Sequence, residues 1–545
     1  MAPIFVGSND DNSRVRSDRV GFAISTSNPG SASEGDAYYN SSDSQLNIYD
    51  GSAWASAGAG GNSVELTASG SISDGQPVII KSDGKVAGVA TVGVAQTNGT
   101  KVAFQESGVS TGDIDAAYDT SAQKVVVAFR DNTNSSARNA QNAVITVNGT
   151  TVSWDSQEHN LMTQQSEYIG ITYVPDQERT VSVWRNTSSG SDADKGFAYV
   201  VDVATNGTWT TASAKVEFAA AGTDIQYPGI GYVGNSKVVV AYRNDDDSNH
   251  GYAVVGTVTG DLSTTSISFG TPVKFASHST QYPKVAYDSS NDRVLITYRN
   301  NSNYATAIVG QVSGTSISFG TAKVINSSFS EQVTGLYDPD TQQMLVAYRD
   351  GGNTNGRCVV GSIDTSDNSF SHGSEVTFNA AESDYISMAY DTVANKAVIA
   401  FRHNNAELSV VEGTLGTQTA TFSSRYGFGF DSIRIGATFD SVNEKVIIAC
   451  QDGSDGNRGK VLAYQVGYTS TNLTANNFLG FSDAAYSDGA TAKIQIAGSV
   501  DDAQSGLTTA KKHYVQTDGT LSTTAGDPSV EAGVGISTTQ IIVLG

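Results

Sequence analysis

The stretch KVAYDSSNDRVLITYRN, residues 284–300, sets the rhythm of the chain: an apolar run, a polar turn, a second apolar run, then an aromatic, an arginine and an asparagine. The aromatic-arginine-polar signature recurs at Phe129-Arg130-Asp131, Trp184-Arg185-Asn186, Tyr242-Arg243-Asn244, Tyr298-Arg299-Asn300, Tyr348-Arg349-Asp350 and Phe401-Arg402-His403, with a decayed copy at Ala449-Cys450-Gln451-Asp452. Successive arginine positions, with Gln451 as the seventh, lie 55, 58, 56, 50, 53 and 49 residues apart. Each signature follows a run such as IDAAYD, IGITYV or ISMAYD and precedes two more, such as YATAIVGQVSG and SISFGTAKVI. Four short strands per period of about 50 residues, without helical periodicity between them, predict β-propeller blades.

Two features sharpen this expectation. The residue before the recurring aromatic of the first run is Ala117, Thr172, Gly231, Ala286, Leu336, Ala389 or Thr438, mostly small, as needed where innermost strands crowd one axis. The second run is apolar without alternation, which suits a sheet covered on both faces. The last copy ends after three strands, while GTKVAFQES (99–107) matches the fourth-strand segment GTPVKFASH (270–278). An orphan strand at the start of the repeat can therefore complete the last blade and close the ring, which removes exposed sheet edges.

Outside the repeat the vocabulary changes. Residues 58–98 and 470–545 share short strands joined by DG turns, as in IIKSDGKVAGVA and YVQTDGTLSTTA. The expected fold is all-β: a seven-bladed β-propeller at 99–469, inserted in a small β domain made from 58–98 and 470–545, with an N-terminal attachment segment at 1–57. Gly contributes 56 residues, in keeping with a turn-rich β protein.

Charge and chemistry narrow the function classes. With 32 Lys plus Arg against 55 Asp plus Glu, the chain has no basic run to neutralise a row of phosphates, so nucleic acid is not an expected partner. No apolar stretch reaches the roughly 18 residues of a membrane span, and MAPIFVGSNDDN lacks the pattern of an export signal, so neither membrane insertion nor export is expected. Cys358 and Cys450 lie in apolar runs and read as small buried hydrophobes. The six histidines show no metal-ligand spacing. The Asp/Asn runs NDDDSNHG and DGSDGN are rich in oxygen but do not continue to the glutamate of a calcium loop, so no metal and no cofactor is expected.

The loops after the signature, among them RDNTNSSARNAQ, RNDDDSNHG and QDGSDGNRG, are strongly polar and mark one mouth of the ring as the candidate binding face. The repeated Arg130, Arg185, Arg243, Arg299, Arg349 and Arg402 are read as structural, because a residue kept at one register in six blades suits pairing within the ring. Residues that break the repeat are better binding candidates: Asp246, His250, Tyr304, Arg357, His403 and Arg458. The SxDxGxxW pattern of sialidase propellers is absent from the ring, as are GxSxG and phosphate-cradling loops, so no catalytic residue is assigned and the chain is expected not to be an enzyme.

The opening RVRSDRVGFAISTSNPGSASEGDAYYNSSDSQLNIYDGSAW resembles the N-terminal segment of tail-fibre and other virion proteins of tailed bacteriophages, especially marine ones. The closing stretch from NNFLGFSDAAYSDG to TQIIVLG is similar to a terminal β module of such proteins. The two cover about a fifth of the chain. The resemblance implies a virion structural component assembled in a bacterial cytoplasm, with other tail or capsid proteins as partners and, by analogy with tail fibres, a homotrimer. The expectation is a tail-fibre or tail-tip protein that binds a host-surface glycan or protein through the propeller mouth. A capsid decoration or head fibre is the alternative, and a glycan-degrading tailspike the third.

Overall fold

The computed structural model describes residues 23–33, 36–42, 45–49, 52–56, 62–106, 110–132, 138–211, 214–219, 222–259 and 267–544. Residues 1–22 of the expected N-terminal segment, including RVRSDRV, and the centre of the loop RDNTNSSARNAQ lie outside them. The chain divides into two units, 95–468 and the joined segments 1–94 and 469–545.

The first unit is the repeat, a seven-bladed β-propeller. In the fourth blade Gln281–Asp288, Arg293–Arg299 and Tyr304–Ser313 pair antiparallel, and the third strand then pairs with Ser316–Phe319 and the start of Lys323–Asp338. Each innermost strand packs against those of both neighbouring blades, and the first, Thr111–Asp119, meets the seventh, Ser432–Asp440. Small residues permit this approach: a Cβ on Gly231 would stand 2.8 Å from Val285 Cγ1, and one on Gly436 2.8 Å from Asp115 Cα. The last blade is completed from the start of the repeat, with Val102 and Ala103 opposite Val461 and Lys460, and Thr97 and Asn98 opposite Gln465 and Tyr464.

The joints between blades differ from the expectation of separate outer and inner strands. His159–Val174, Lys323–Asp338 and Val376–Asp391 are single strands of 16 residues whose first half closes one blade and whose second half opens the next. Each passes without a loop from pairing with the third strand of one blade to pairing with the second strand of the next.

The second strands explain why one blade cannot stand alone. KVVVAFRD and KVVVAYRN are buried on both faces over five or six consecutive residues, and each interface between adjacent blades holds its own apolar cluster. The signature aromatics Phe129, Trp184, Tyr242, Tyr298, Tyr348 and Phe401 are fully enclosed there. Each buried side chain of this size contributes about 1.5–3 kcal/mol relative to exposure, a gain available only once a neighbouring blade covers it. Cys358 and Cys450 are buried and unpaired within these layers.

In the second unit, Ser63–Thr67, Pro77–Ile80 and Val86–Gly88 from the N-terminal side form one five-stranded sheet with Phe478–Ser482 and Thr491–Gln495 from the C-terminal side. A second sheet comes entirely from residues 500–543. Ile79, Val89 and Phe481 pack with Val515, Ala532 and Ile541 in a common core. Because strands from both ends of the chain share one sheet, the propeller is an insertion. Residues 23–56 add a four-stranded sheet of their own.

Candidate functional site

Every innermost strand carries one irregularity at the same place. Its register against the second strand slips around Asp113, Tyr168, Tyr227, Tyr282, Gln332, Tyr385 and Arg434. All seven adopt positive φ, between 39° and 57°. For a tyrosine this left-handed backbone is uncommon and strained by about 1–2 kcal/mol. Here the bulge imposes it, and the consequence is geometric: all seven residues line one cavity of about 460 Å³ around the ring axis.

The funnel is uneven. Tyr168, Tyr227 and Tyr282, from three consecutive blades, form an arc with ring centroids 4.6 and 4.2 Å apart. The Arg243 guanidinium lies 4.9 Å from the Tyr227 ring centre, and that of Arg299 5.9 Å from the Tyr282 ring centre. Burial raises the phenol pKa of Tyr168 and Tyr282, reinforced by Tyr227 beside them, so both remain hydrogen-bond donors. On blades seven and one, Arg434 pairs with Asp113, whose carboxylate also accepts the backbone N–H of Tyr168 at 2.9 Å and lies 3.3 Å from Arg130. On the fifth blade, Gln332 accepts the backbone N–H of Ile386 at 3.0 Å.

Below the funnel the axis continues into a second cavity of about 360 Å³, and Lys284 lines both. Asp115 reaches the lower cavity and accepts the backbone N–H groups of Ala116 and Ile171 at 3.0 and 3.2 Å. Burial holds its carboxyl pKa above the usual carboxylate range, against the opposing pull of the Lys284 ammonium and the two N–H donors.

The six signature arginines sit directly behind this column. Each stands opposite, in the second strand, the residue preceding the bulged one: Glu167 faces Arg185 and Glu331 faces Arg349. They also reach the next blade. Arg130 meets Glu167 at 3.4 Å, Arg185 meets Asp224 at 3.3 Å, Arg299 meets Glu331 at 3.4 Å and Arg402 meets Asp431 at 2.7 Å. Arg349 has three acidic partners, Glu331, Glu382 at 3.2 Å and Asp384 at 3.2 Å. Arg243 pairs within its own blade, at 2.5 Å from Asp245.

The six loop candidates are not brought together, and none lines the funnel. Asp246 is exposed and accepts the Asp224 N–H at 2.8 Å. His250 lies 3.2 Å from Asp247. The Tyr304 N–H donates to Asn300 at 3.0 Å, and Arg357 pairs with Glu375 at 2.7 Å. His403 lies 3.1 Å from the Asn404 amide, with its pKa lowered by burial and by Arg425. Arg458 donates to the Gln105 carbonyl at 3.0 Å. The funnel residues carried a signal of their own. Each stands five positions before the recurring aromatic of the first run, where the seven copies read Asp, Tyr, Tyr, Tyr, Gln, Tyr and Arg.

Fold and site together define an all-β propeller protein with an axial, tyrosine-walled funnel. No protein-family model matches the sequence, and no curated protein matches it. Among solved structures, the chain is similar to a protein of unknown function from Dyadobacter fermentans (9% identity, 68% of this chain and 99% of that one, TM-score 0.42). A mutant of the NanB sialidase from Streptococcus pneumoniae is also similar (12%, 69% and 71%, TM-score 0.40), as is Trypanosoma rangeli sialidase (13%, 57% and 56%, TM-score 0.35), of whose length the chain spans little more than half. The expectation that the chain is not an enzyme does not stand: sialidases are among the structures it is similar to.

Proposed function

We propose that this chain is a virion structural protein of a tailed bacteriophage, a tail-fibre or tail-tip component whose propeller holds a host-surface glycan in its axial funnel. The observation that carries the glycan reading is the arc of Tyr168, Tyr227 and Tyr282 around a cavity of about 460 Å³. A sugar ring has a C–H face that packs on an aromatic ring and a rim of hydroxyls that needs donors and acceptors. The funnel offers both, in Tyr168, Tyr227 and Tyr282 on one side and in Gln332, Arg434 and Asp113 on the other. The virion assignment is supported by the resemblance of the two flanks to phage tail-fibre segments, and a propeller inserted between them suits a binding head on an attachment base.

Two measurements test the reading. Immunogold microscopy with antibody against the protein is expected to label the tail of intact virions; label over the capsid shell would make the propeller a head decoration instead. The full-length protein is expected to bind envelope polysaccharide purified from the host, and Tyr227→Ala to weaken that binding by about 10–100-fold. Chromatography of the polysaccharide after incubation reads any cleavage directly.

A further inference from the structure

Resting on the funnel as a glycan site, we propose that its ligand is an acidic sugar, and that Lys284 is the group that receives the sugar carboxylate. The charges around the axis carry this. Asp113 is held by Arg130 and Arg434, and Glu331 by Arg299 and Arg349, so each funnel acid already has two guanidinium partners. Lys284 has no hydrogen bond or ion pair among the described residues; Asp115, with which it interacts electrostatically, has its carboxylate occupied by two backbone N–H groups. Lys284 is exposed and lies two residues beyond Tyr282, at the floor where the funnel narrows into the lower cavity.

Arg434, on the seventh blade, faces the tyrosine arc of blades two to four across the ring, and its side chain is 39% exposed despite the pair with Asp113. A protein with net charge −23 thus presents an ammonium without a hydrogen bond or ion pair among the described residues, and a half-open guanidinium, in the wall of its tyrosine-lined cavity. Low-dielectric walls focus such a field on a bound anion. A neutral sugar would leave the Lys284 ammonium without a hydrogen-bonded counter-charge, whereas a carboxylate gains a charge-assisted hydrogen bond with it. The tyrosines supply affinity for any pyranose face, and Lys284 supplies the preference for the acid.

The test uses the full-length protein and oligosaccharides ending in glucuronic or galacturonic acid, each paired with its carboxyl-reduced counterpart. Titration calorimetry is expected to find the acid bound at least about tenfold more tightly than the reduced sugar, an advantage that Lys284→Met cuts to about threefold or less and Lys284→Arg largely keeps. Tyr227→Ala should weaken both members of a pair alike. Equal binding of acid and reduced sugar, both lost in Tyr227→Ala, overturns the acidic-ligand inference and leaves the glycan site standing; an acid preference that survives Lys284→Met overturns the role of Lys284. No binding by any pair, or binding indifferent to Tyr227→Ala, overturns the glycan reading and this inference with it.

Discussion

The two ends of each innermost strand, five residues apart, are used in opposite ways. At the far end the residue is Tyr in six blades and Phe439 in the seventh, and in three of them the hydroxyl donates to a turn: Tyr232 to Asp176 at 2.8 Å, Tyr287 to Asp292 at 2.9 Å, Tyr337 to Ser290 at 2.6 Å. The next residue is often an aspartate that ties the turn, as Asp288 does by accepting the N–H groups of Ser290 and Asn291 at 3.0 Å. At the funnel end the backbone alone repeats. The bulge and positive φ recur in seven blades while the side chain changes from Asp to Tyr to Gln to Arg. Uniformity marks what the ring needs in order to close, and variation at fixed geometry marks where a ligand can be read without cost to the fold.

That contrast can be broken experimentally, and the largest effect is expected in the uniform arginine column. Arg349→Ala leaves Glu331, Glu382 and Asp384 without their shared guanidinium and is expected to cost about 3 kcal/mol, read as a lower denaturation midpoint of the full-length protein. Asp246→Ala, in an exposed loop, should stay within about 0.5 kcal/mol of the parent. In the variable column the order reverses: Tyr227→Ala should leave the midpoint within about 1 kcal/mol, because two ring contacts are lost while left-handed strain is unaltered, yet weaken glycan binding by about 10–100-fold. Below Arg349→Ala in its cost to stability is Asp288→Ala, which strips the acceptor from two turn N–H groups and should cost about 1 kcal/mol by the same denaturation assay.

The subtlest effect is a pH dependence. Asp115 binds its proton more tightly when folded than when unfolded, so its ionisation, as pH rises above about 4, lowers stability. Asp115→Asn is therefore expected to match the parent near pH 3 and to exceed it at neutral pH. Melting curves at the two pH values check the sign, and an asparagine variant less stable at neutral pH would mean that Lys284 outweighs burial.

Much of this architecture was legible in the chain, for a physical reason: a blade is a local unit, so its strands, turns and buried aromatics repeat in the sequence as they repeat in space. Even ring closure could be read, because GTKVAFQES carries the pattern of a fourth strand. The joints were harder. Nothing local says that residues 323–338 run as one strand through two blades, since both halves have ordinary strand composition. The funnel was not read from the sequence for a related reason. Loop residues such as His250 and Arg357 stand out because they interrupt the repeat, but in the structure they pair with Asp247 and Glu375 away from the axis. The tyrosines that face the axis sit inside runs that read as plain strand, and only the bulge turns them inward. Tyr385, between Asp384 and Ile386, gives no local hint of its left-handed backbone.

The most direct test of the account compares two triple variants of the full-length protein for adhesion to host cells. One removes the arc (Tyr168→Ala, Tyr227→Ala, Tyr282→Ala) and the other the loop groups (Asp246→Ala, His250→Ala, Arg357→Ala). With both variants folded by melting and circular dichroism, the account predicts that adhesion is lost in the arc variant and kept in the loop variant. Adhesion kept without the arc and lost without the loops would contradict it and move the binding face outward to the loops.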